Sequence, residues 1–285
     1  MTQHAISVAG VSHAYARPDE GVVQTLNSVS LEIRKGELVC LIGPSGCGKS
    51  TLLNIIGGLI SPTAGEVRVN GHPVRGPAPK EIAYVFQENT LFPWNTILDN
   101  IKVALEFQGV PAAERQDRAK QAIEAVGLSE FAHSYPHQLS GGMKQRASLA
   151  RALSMQTDIL LMDEPFAALD EQTRTYLGEE LSVLLAATNK TIVLVTHSLS
   201  EAVFLADCVV VMTARPAEIK ATISIKAGHP REPSFTTSSE FSDLRNELYA
   251  LLRDEIEKTV GGFVGRAAER DRERRAAASQ GGARS

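Results

Sequence analysis

The chain has 285 residues, of which 43% are apolar, 22% charged and 5% aromatic. An apolar share of that size fills a sizeable core. With 29 basic against 33 acidic side chains the net charge is −4, which excludes a general nucleic-acid binder, whose affinity comes from a basic surface.

No apolar run approaches the roughly 20 residues that span a bilayer. Met1–Ile6 has neither the basic region nor the long apolar stretch of a signal peptide. Three scattered cysteines (Cys40, Cys47 and Cys208) argue against a disulfide framework and against a zinc ribbon. The expectation is a cytosolic protein, or one on the cytosolic face of something larger.

In chain order, the first 36 residues and Gly65–Asn70 alternate apolar and polar positions, as in Val29, Leu31 and Ile33. This suits an antiparallel sheet with one wet face. Leu38–Ile42 is a short, continuous apolar run closed by Gly43, and Leu52–Leu59 is an apolar helical stretch. Ile82–Phe86, Ile159–Met162, Thr191–Val195 and Cys208–Met212 are further apolar runs. Such runs also occur in buried helices, but their length and β-branched content favour strand. Separated by helical patterns, they predict a largely parallel sheet covered on both faces.

Between Gln87 and Met155 the pattern is mostly helical. Ala119, Ala122, Ile123 and Val126 fall on one helix face. Phe241, Leu244, Leu248, Leu252, Ile256 and Val260 give a second amphipathic helix near the end. Core packing is the ordinary reading of both stripes. Beyond Gly265 there are six Arg and three acids among many Ala, Ser and Gly, the composition of a disordered tail.

Gly43-Pro-Ser-Gly-Cys-Gly-Lys-Ser-Thr51 fits G-x-x-x-x-G-K-[ST], after a predicted strand and before a helix. Glycines 43, 46 and 48 let the backbone fold tightly around an anion, with the N–H groups of Ser45 to Thr51 turned inward. The helix N-terminus adds partial positive charge. Lys49 adds a full charge toward the β- and γ-phosphates, and Ser50 offers a hydroxyl to Mg²⁺. Asp163 closes the run Ile159–Met162, and Glu164 follows. Two adjacent carboxylates at a strand end suit two tasks, Asp163 on the metal side and Glu164 toward an attacking water.

Leu139-Ser-Gly-Gly-Met-Lys-Gln-Arg146 reads by itself as a helix start capped by Ser140. Together with the cradle and Asp163-Glu164 it resembles the signature motif of ABC-type ATPases. The order also matches: Gly43–Ser50, Gln87, Ser140–Gly142, Asp163-Glu164, Asp170, then His197.

The resemblance covers roughly residues 5–230. It implies a P-loop NTPase core with an N-terminal antiparallel β subdomain and an inserted α-helical signature subdomain at about 88–156. The ATPase domain then spans 5–235, a helical extension 236–262 and a disordered tail 263–285. It implies ATP and Mg²⁺ as cofactors. Tyr15 takes the place of the aromatic residue that stacks on adenine. Gly43, Pro44, Ser45, Gly46, Cys47, Gly48, Lys49, Ser50 and Thr51 form the cradle. Ser50, Gln87 and Asp163 are assigned to the metal, Gln87 also to the attacking water, Glu164 to the general base, and His197 to the γ-phosphate switch. Ser140, Gly141, Gly142 and Asp170 are assigned to the ATP site of a second copy, so two ATP molecules are sandwiched in a homodimer. Ala167 replaces the usual first Ser of the Asp170 loop.

Leu91-Phe-Pro-Trp94 beside Gln87 matches the region that receives a short helix from a membrane subunit, although Phe92 and Trp94 also suit the core of the helical subdomain. This run, Asp163–Asp170 and Glu201–Asp207 look like the nitrate/sulfonate/taurine class of bacterial import ATPases. Ala217 departs from a Gly common there. The resemblance implies two permease subunits, a periplasmic or lipid-anchored solute-binding protein and a place on the cytoplasmic face of the inner membrane. An exporter subunit is the alternative. A non-transport ABC ATPase is disfavoured by the short Gln87–Ser140 interval, and a P-loop kinase by the signature loop. With Cys47 inside the cradle, thiol alkylation is expected to block the ATPase.

Overall fold

The computed structural model describes residues 4–17 and 21–258. The expected tail at 263–285, Val260 and the end of the 236–262 extension lie outside the described residues. Two long strands open the chain, β1 (His4–Arg17) and β2 (Gly21–Arg34). They are followed by β3 (Leu38–Ile42), α1 (Lys49–Ile56), β4 (Ala64–Val69), β5 (His72–Pro73) and β6 (Ile82–Val85). Three helices come next: α2 (Ile97–Phe107), α3 (Ala112–Glu124) and α4 (Gly141–Ser154). The chain then alternates through β7 (Ile159–Asp163), α5 (Glu171–Thr188), β8 (Thr191–Val195), α6 (Leu199–Leu205), β9 (Cys208–Met212) and β10 (Ile219–Ser224). A last helix, α7, covers residues 239–258.

The strands form two sheets. One is antiparallel, ordered β2-β1-β4-β5. The other is ordered β10-β9-β3-β8-β7-β6 and is parallel except for β10, which runs antiparallel to β9 at the edge. All five apolar runs are strands, four of them buried at every position. Their side chains alternate between two cores, as the two-residue period of a strand requires. Leu38, Cys40 and Ile42 face α5, α6 and α7; Val39 and Leu41 face α1 and the antiparallel sheet.

The inserted helices carry a third core of their own, from Leu91 to Ala150, including Ala119, Ile123 and Val126 of the predicted stripe. The stripe of α7 packs into the core as read from the sequence, but not as a separate extension. Phe241, Leu248 and Leu252 are buried in the same core as Leu194 and Val209, so the extension packs as part of the main domain. Ile256 is 46% exposed and Glu255 is buried in its place. The 3.6-residue period carries the inward face to position 255 rather than 256.

Candidate functional site

Strand order builds the site. β3, β8, β7 and β6 are neighbours in the sheet. They run parallel, so their C-terminal ends lie side by side, each about 4.8 Å from the next. Those ends lead into Gly43, Thr196-His197, Asp163-Glu164 and Phe86-Gln87. Four segments distant in sequence thus converge on one edge, where ligands bind in open α/β sheets.

The loop after β3 wraps the start of α1. Gly48, its N-cap, has φ +131°, and a Cβ there would lie 2.8 Å from Leu26 and 2.9 Å from Thr25; only glycine fits. The buried Lys49 ammonium donates to the Gly43 and Pro44 carbonyls at 2.9 and 3.0 Å. Ser50 Oγ donates to Asp163 Oδ1 at 3.1 Å, joining cradle and strand end. Burial pushes the Asp163 carboxyl upward, the Ser50 hydrogen bond opposes that, and the Glu164 charge adds to it. A divalent cation beside it would favour the ionised form.

Glu164 is held in the left-handed region at φ 48°, its N–H donating to Val195 O at 2.9 Å. That conformation costs roughly 1–2 kcal/mol for a side chain with a Cβ. It aims the carboxylate between two partners: His197 Nε2 lies 2.7 Å from Oε1, and Gln87 Nε2 donates to Oε2 at 3.2 Å. Behind His197, the Thr196 hydroxyl donates to Glu201, and Glu201 lies 3.4 Å from Arg174. This fixes the strand end that carries the histidine. Glu201 was not foreseen, although Ser198 and Glu201 form the S-x-x-E helix-start pattern, and Ser198 Oγ does accept from Glu201 N.

These groups open onto a cavity of about 430 Å³. Ser45, Gly46, Gly48, Lys49, Ser50 and Thr51 form its floor, with Gln87, Glu164 and His197 on one side. Tyr15, Val23 and Thr25 form the other wall. Tyr15 is 42% exposed and its hydroxyl lies 3.4 Å from Thr51 Oγ1, so its ring is available as a stacking platform. Arg215, not foreseen, sits on the rim.

Cys47 departs from expectation. Its side chain is buried in the core with Leu52 and Met212, and its N–H donates back to Pro44 O at 3.2 Å. Burial raises its pKa, against the pull of Lys49. It shapes the loop from behind instead of presenting a thiol to the phosphates, which removes the basis for ready alkylation.

Ser140, Gly141, Gly142 and Asp170 do not line this cavity. Ser140 caps α4, accepting from Met143 N at 3.3 Å. Asp170 caps α5, accepting from Thr173 N at 2.9 Å and Thr173 Oγ1 at 2.7 Å, and these bonds lower its pKa. The two caps are neighbours: a Cβ on Gly142 would meet Leu169 Cδ2 at 2.7 Å. Together they form one patch of two helix N-termini, apart from the cradle of the same chain.

Trp94 is 71% exposed, whereas Leu91 beside it is buried, so Trp94 is not part of the helical core. Ala217, where a Gly was common, is fully buried and has no positive φ. No glycine is required there.

Residues 26–167 match the ABC transporter family model. An uncharacterized ABC transporter ATP-binding protein of Methanocaldococcus jannaschii, MJ0412, is 47% identical over 84% of this chain and 88% of its own length. This chain belongs to the ABC transporter family, as an ATP-binding subunit. Within the family it is similar to the taurine import ATP-binding protein TauB of Rhizobium johnstonii, 42% identical over 81% of this chain and 89% of that protein. It is equally similar to the nitrate import ATP-binding protein NrtD of Synechocystis sp., 42% identical over 84% of this chain and 92% of that one. Its resemblance to the nitrate/sulfonate/taurine class is thus shared by named relatives. The solved dimer of MJ0796, a bacterial ABC transporter cassette, superposes with a TM-score of 0.72 at 33% identity, over 78% of this chain and 100% of that one. The ABC cassette fold expected from the motifs is the observed one, and the protein is an ATPase of the ABC type.

Proposed function

We propose that this subunit hydrolyses Mg-ATP to drive import of a small solute through a separate membrane permease. The observation that carries the reading is the convergence of Gln87, Glu164 and His197 at the mouth of the Lys49 cradle. Ser50, Asp163 and Gln87 offer hard oxygen donors, the set that suits Mg²⁺. When bound there, the ion would neutralise charge on the β- and γ-phosphates.

The protein's own groups do the rest. Tyr15 takes the base, and the cradle N–H groups and Lys49 hold the phosphates. Glu164 accepts the proton of the attacking water, with Gln87 and His197 orienting its carboxylate. The patch of Ser140, Gly141, Gly142 and Asp170 serves the site of a second copy, supplying a helix N-terminus to the γ-phosphate. ATP is then a ligand for the closed dimer, and hydrolysis releases it.

Among the described residues no helix is long and apolar enough to cross a membrane. In this reading the work passes to two permease subunits, as the names of the import relatives imply, and these dock at the exposed Trp94 on the cytoplasmic face of the inner membrane. A periplasmic or lipid-anchored solute-binding protein delivers the cargo. The relatives' names favour a small anion or zwitterion of the nitrate or taurine kind, and they lend no support to export.

The test is Glu164→Gln. It is expected to bind Mg-ATP, to lose hydrolysis by about 10²–10⁴-fold, and to sediment as a dimer in saturating Mg-ATP. Lys49→Ala should lose ATP affinity in calorimetry. A Glu164→Gln protein that hydrolyses at the normal rate, or stays monomeric in Mg-ATP even beside its permease, overturns the reading.

A further inference from the structure

The turn between β9 and β10, residues 213–217, is bonded to three separate parts of the molecule. The Arg215 guanidinium lies over the tip of the phosphate cradle. Its Nε donates to Gly46 O at 3.1 Å, and Nη2 donates to the same carbonyl. Ala217 N donates to Thr25 O at 2.8 Å and Asn27 N to Ala217 O at 2.9 Å, which ties the turn to the Tyr15–Thr25 wall. From behind, Ala214 N donates to Glu255 Oε2 at 3.0 Å.

Glu255 is a buried carboxylate on α7. It is also held by Lys220 of β10 at 3.0 Å and by Lys258 at 2.7 Å. Lys220 Nζ donates as well to Leu251 O at 2.8 Å, so the β9–β10 hairpin and α7 are fastened at two points. A further cavity, of about 320 Å³, lies between Leu252 and Ile256 of α7 and the segments Gly43–Ser45 and Thr196-His197. The last helix therefore stands behind both the cradle and the histidine.

We propose that α7 sets the geometry of the nucleotide cradle through a relay from Glu255 to the Ala214 N–H to the Arg215 fork on Gly46. Arg215 and Glu255 are then positioning residues. Gly46 sits at φ +72° in the middle of the cradle, and its carbonyl shares a rigid peptide plane with the Cys47 N–H, which donates to Pro44 O at 3.2 Å, so the fork fixes the Pro44–Cys47 turn from which the neighbouring cradle N–H groups project. Arg215 is exposed on its outer side, so its charge costs little to keep, and its planar fork fixes one carbonyl in a way a Lys ammonium does not. The burial of Glu255 makes the other end stiff: a hydrogen-bonded carboxylate with two lysines has one stable arrangement. The inference rests on the ATP-site reading above.

The test uses the full-length protein, with Mg-ATP as the probe. Arg215→Ala is expected to weaken Mg-ATP binding in calorimetry about five- to tenfold. It should raise KM by the same factor, with kcat at saturation within about twofold of normal. Arg215→Lys should not restore affinity. Glu255→Ala should weaken binding in the same direction, and Glu255→Gln, which keeps an acceptor for Ala214 N–H, should recover part of it. The pair Arg215→Ala/Glu255→Ala should bind no more weakly than Arg215→Ala alone, because the two act in series.

Wild-type affinity in Arg215→Ala, an exposed change that leaves folding intact, overturns the proposal. So do fully additive costs in the pair. Lys49→Ala separates the two levels. Should it bind Mg-ATP normally, the ATP-site reading itself has failed; should it lose binding while Arg215→Ala does not, only the relay has.

Discussion

Glu164 shows how a single residue is strained into its task. Nothing in the run Ile159–Pro165 announces a left-handed backbone, yet φ is 48° there and the carboxylate meets His197 and Gln87 because of it. Cys47 is the opposite case. The pattern around it foretold a phosphate loop, but not that its own side chain turns away from the phosphates. A residue in a tight loop has two faces to choose from, and only the packing against Leu52 and Met212 decides. With the thiol buried and its pKa raised by that burial, the reactive thiolate forms only at higher pH than for a free thiol. Alkylation of the folded protein at neutral pH, followed by intact mass, is expected to be at least about tenfold slower than in denaturant. ATPase activity should survive it. Rapid labelling of Cys47 with loss of activity would restore the exposed-thiol view.

Among the elements, the loop from Gln87 to α2 is built as a rigid presenter. The buried Asn100 side chain accepts from Phe92 N at 2.7 Å and donates to Phe92 O, Asn95 O and Thr96 O at 2.9–3.1 Å. Phe92 lies 5.5 Å from the Trp94 ring. Arg151 of the signature helix α4 grips the same loop, donating to Thr90 O at 2.8 Å and Thr90 Oγ1 at 2.6 Å. A push at Trp94 therefore reaches both Gln87 and the helix that begins at the signature. Trp94→Ala is expected to release the permease in a pull-down while isolated ATPase activity stays normal, since aromatic anchors dominate such interfaces. Asn100→Ala should cost about 1–3 kcal/mol of stability in a denaturant melt, the penalty for stranding buried backbone groups. An intact complex with Trp94→Ala would sink the docking surface. The apolar and aromatic run was visible in the sequence; its exposure was not, because the same residues suit a core or an interface until the neighbours are known. The edge strand β10 was likewise invisible. Its burial is only partial, so no continuous apolar run marks it.

At the scale of the whole molecule, α7 closes one side of the parallel sheet and links it to the cradle. Burial raises the Glu255 pKa, but Lys258, the Ala214 N–H and Lys220 more than offset it, leaving a value of about 2 against an ordinary 4.5. A depressed carboxyl stabilises the fold fully above its unfolded pKa and less as pH falls toward the folded one. Glu255→Gln is thus expected to lose about 3 kcal/mol at neutral pH, with the gap to wild type closing between about pH 4.5 and pH 2 in circular-dichroism melts. A gap independent of pH would refute the charge's role. By itself the sequence determined the five buried strands, the cradle, the signature helix and the order in which they come, because local period and glycine spacing are properties of neighbouring residues. Tertiary structure alone decided that β8 falls between β3 and β7, that Glu255 meets Lys220 and Ala214, and that Arg215 reaches Gly46. Those are contacts between residues far apart in the chain, fixed by strand order and packing rather than by any local pattern.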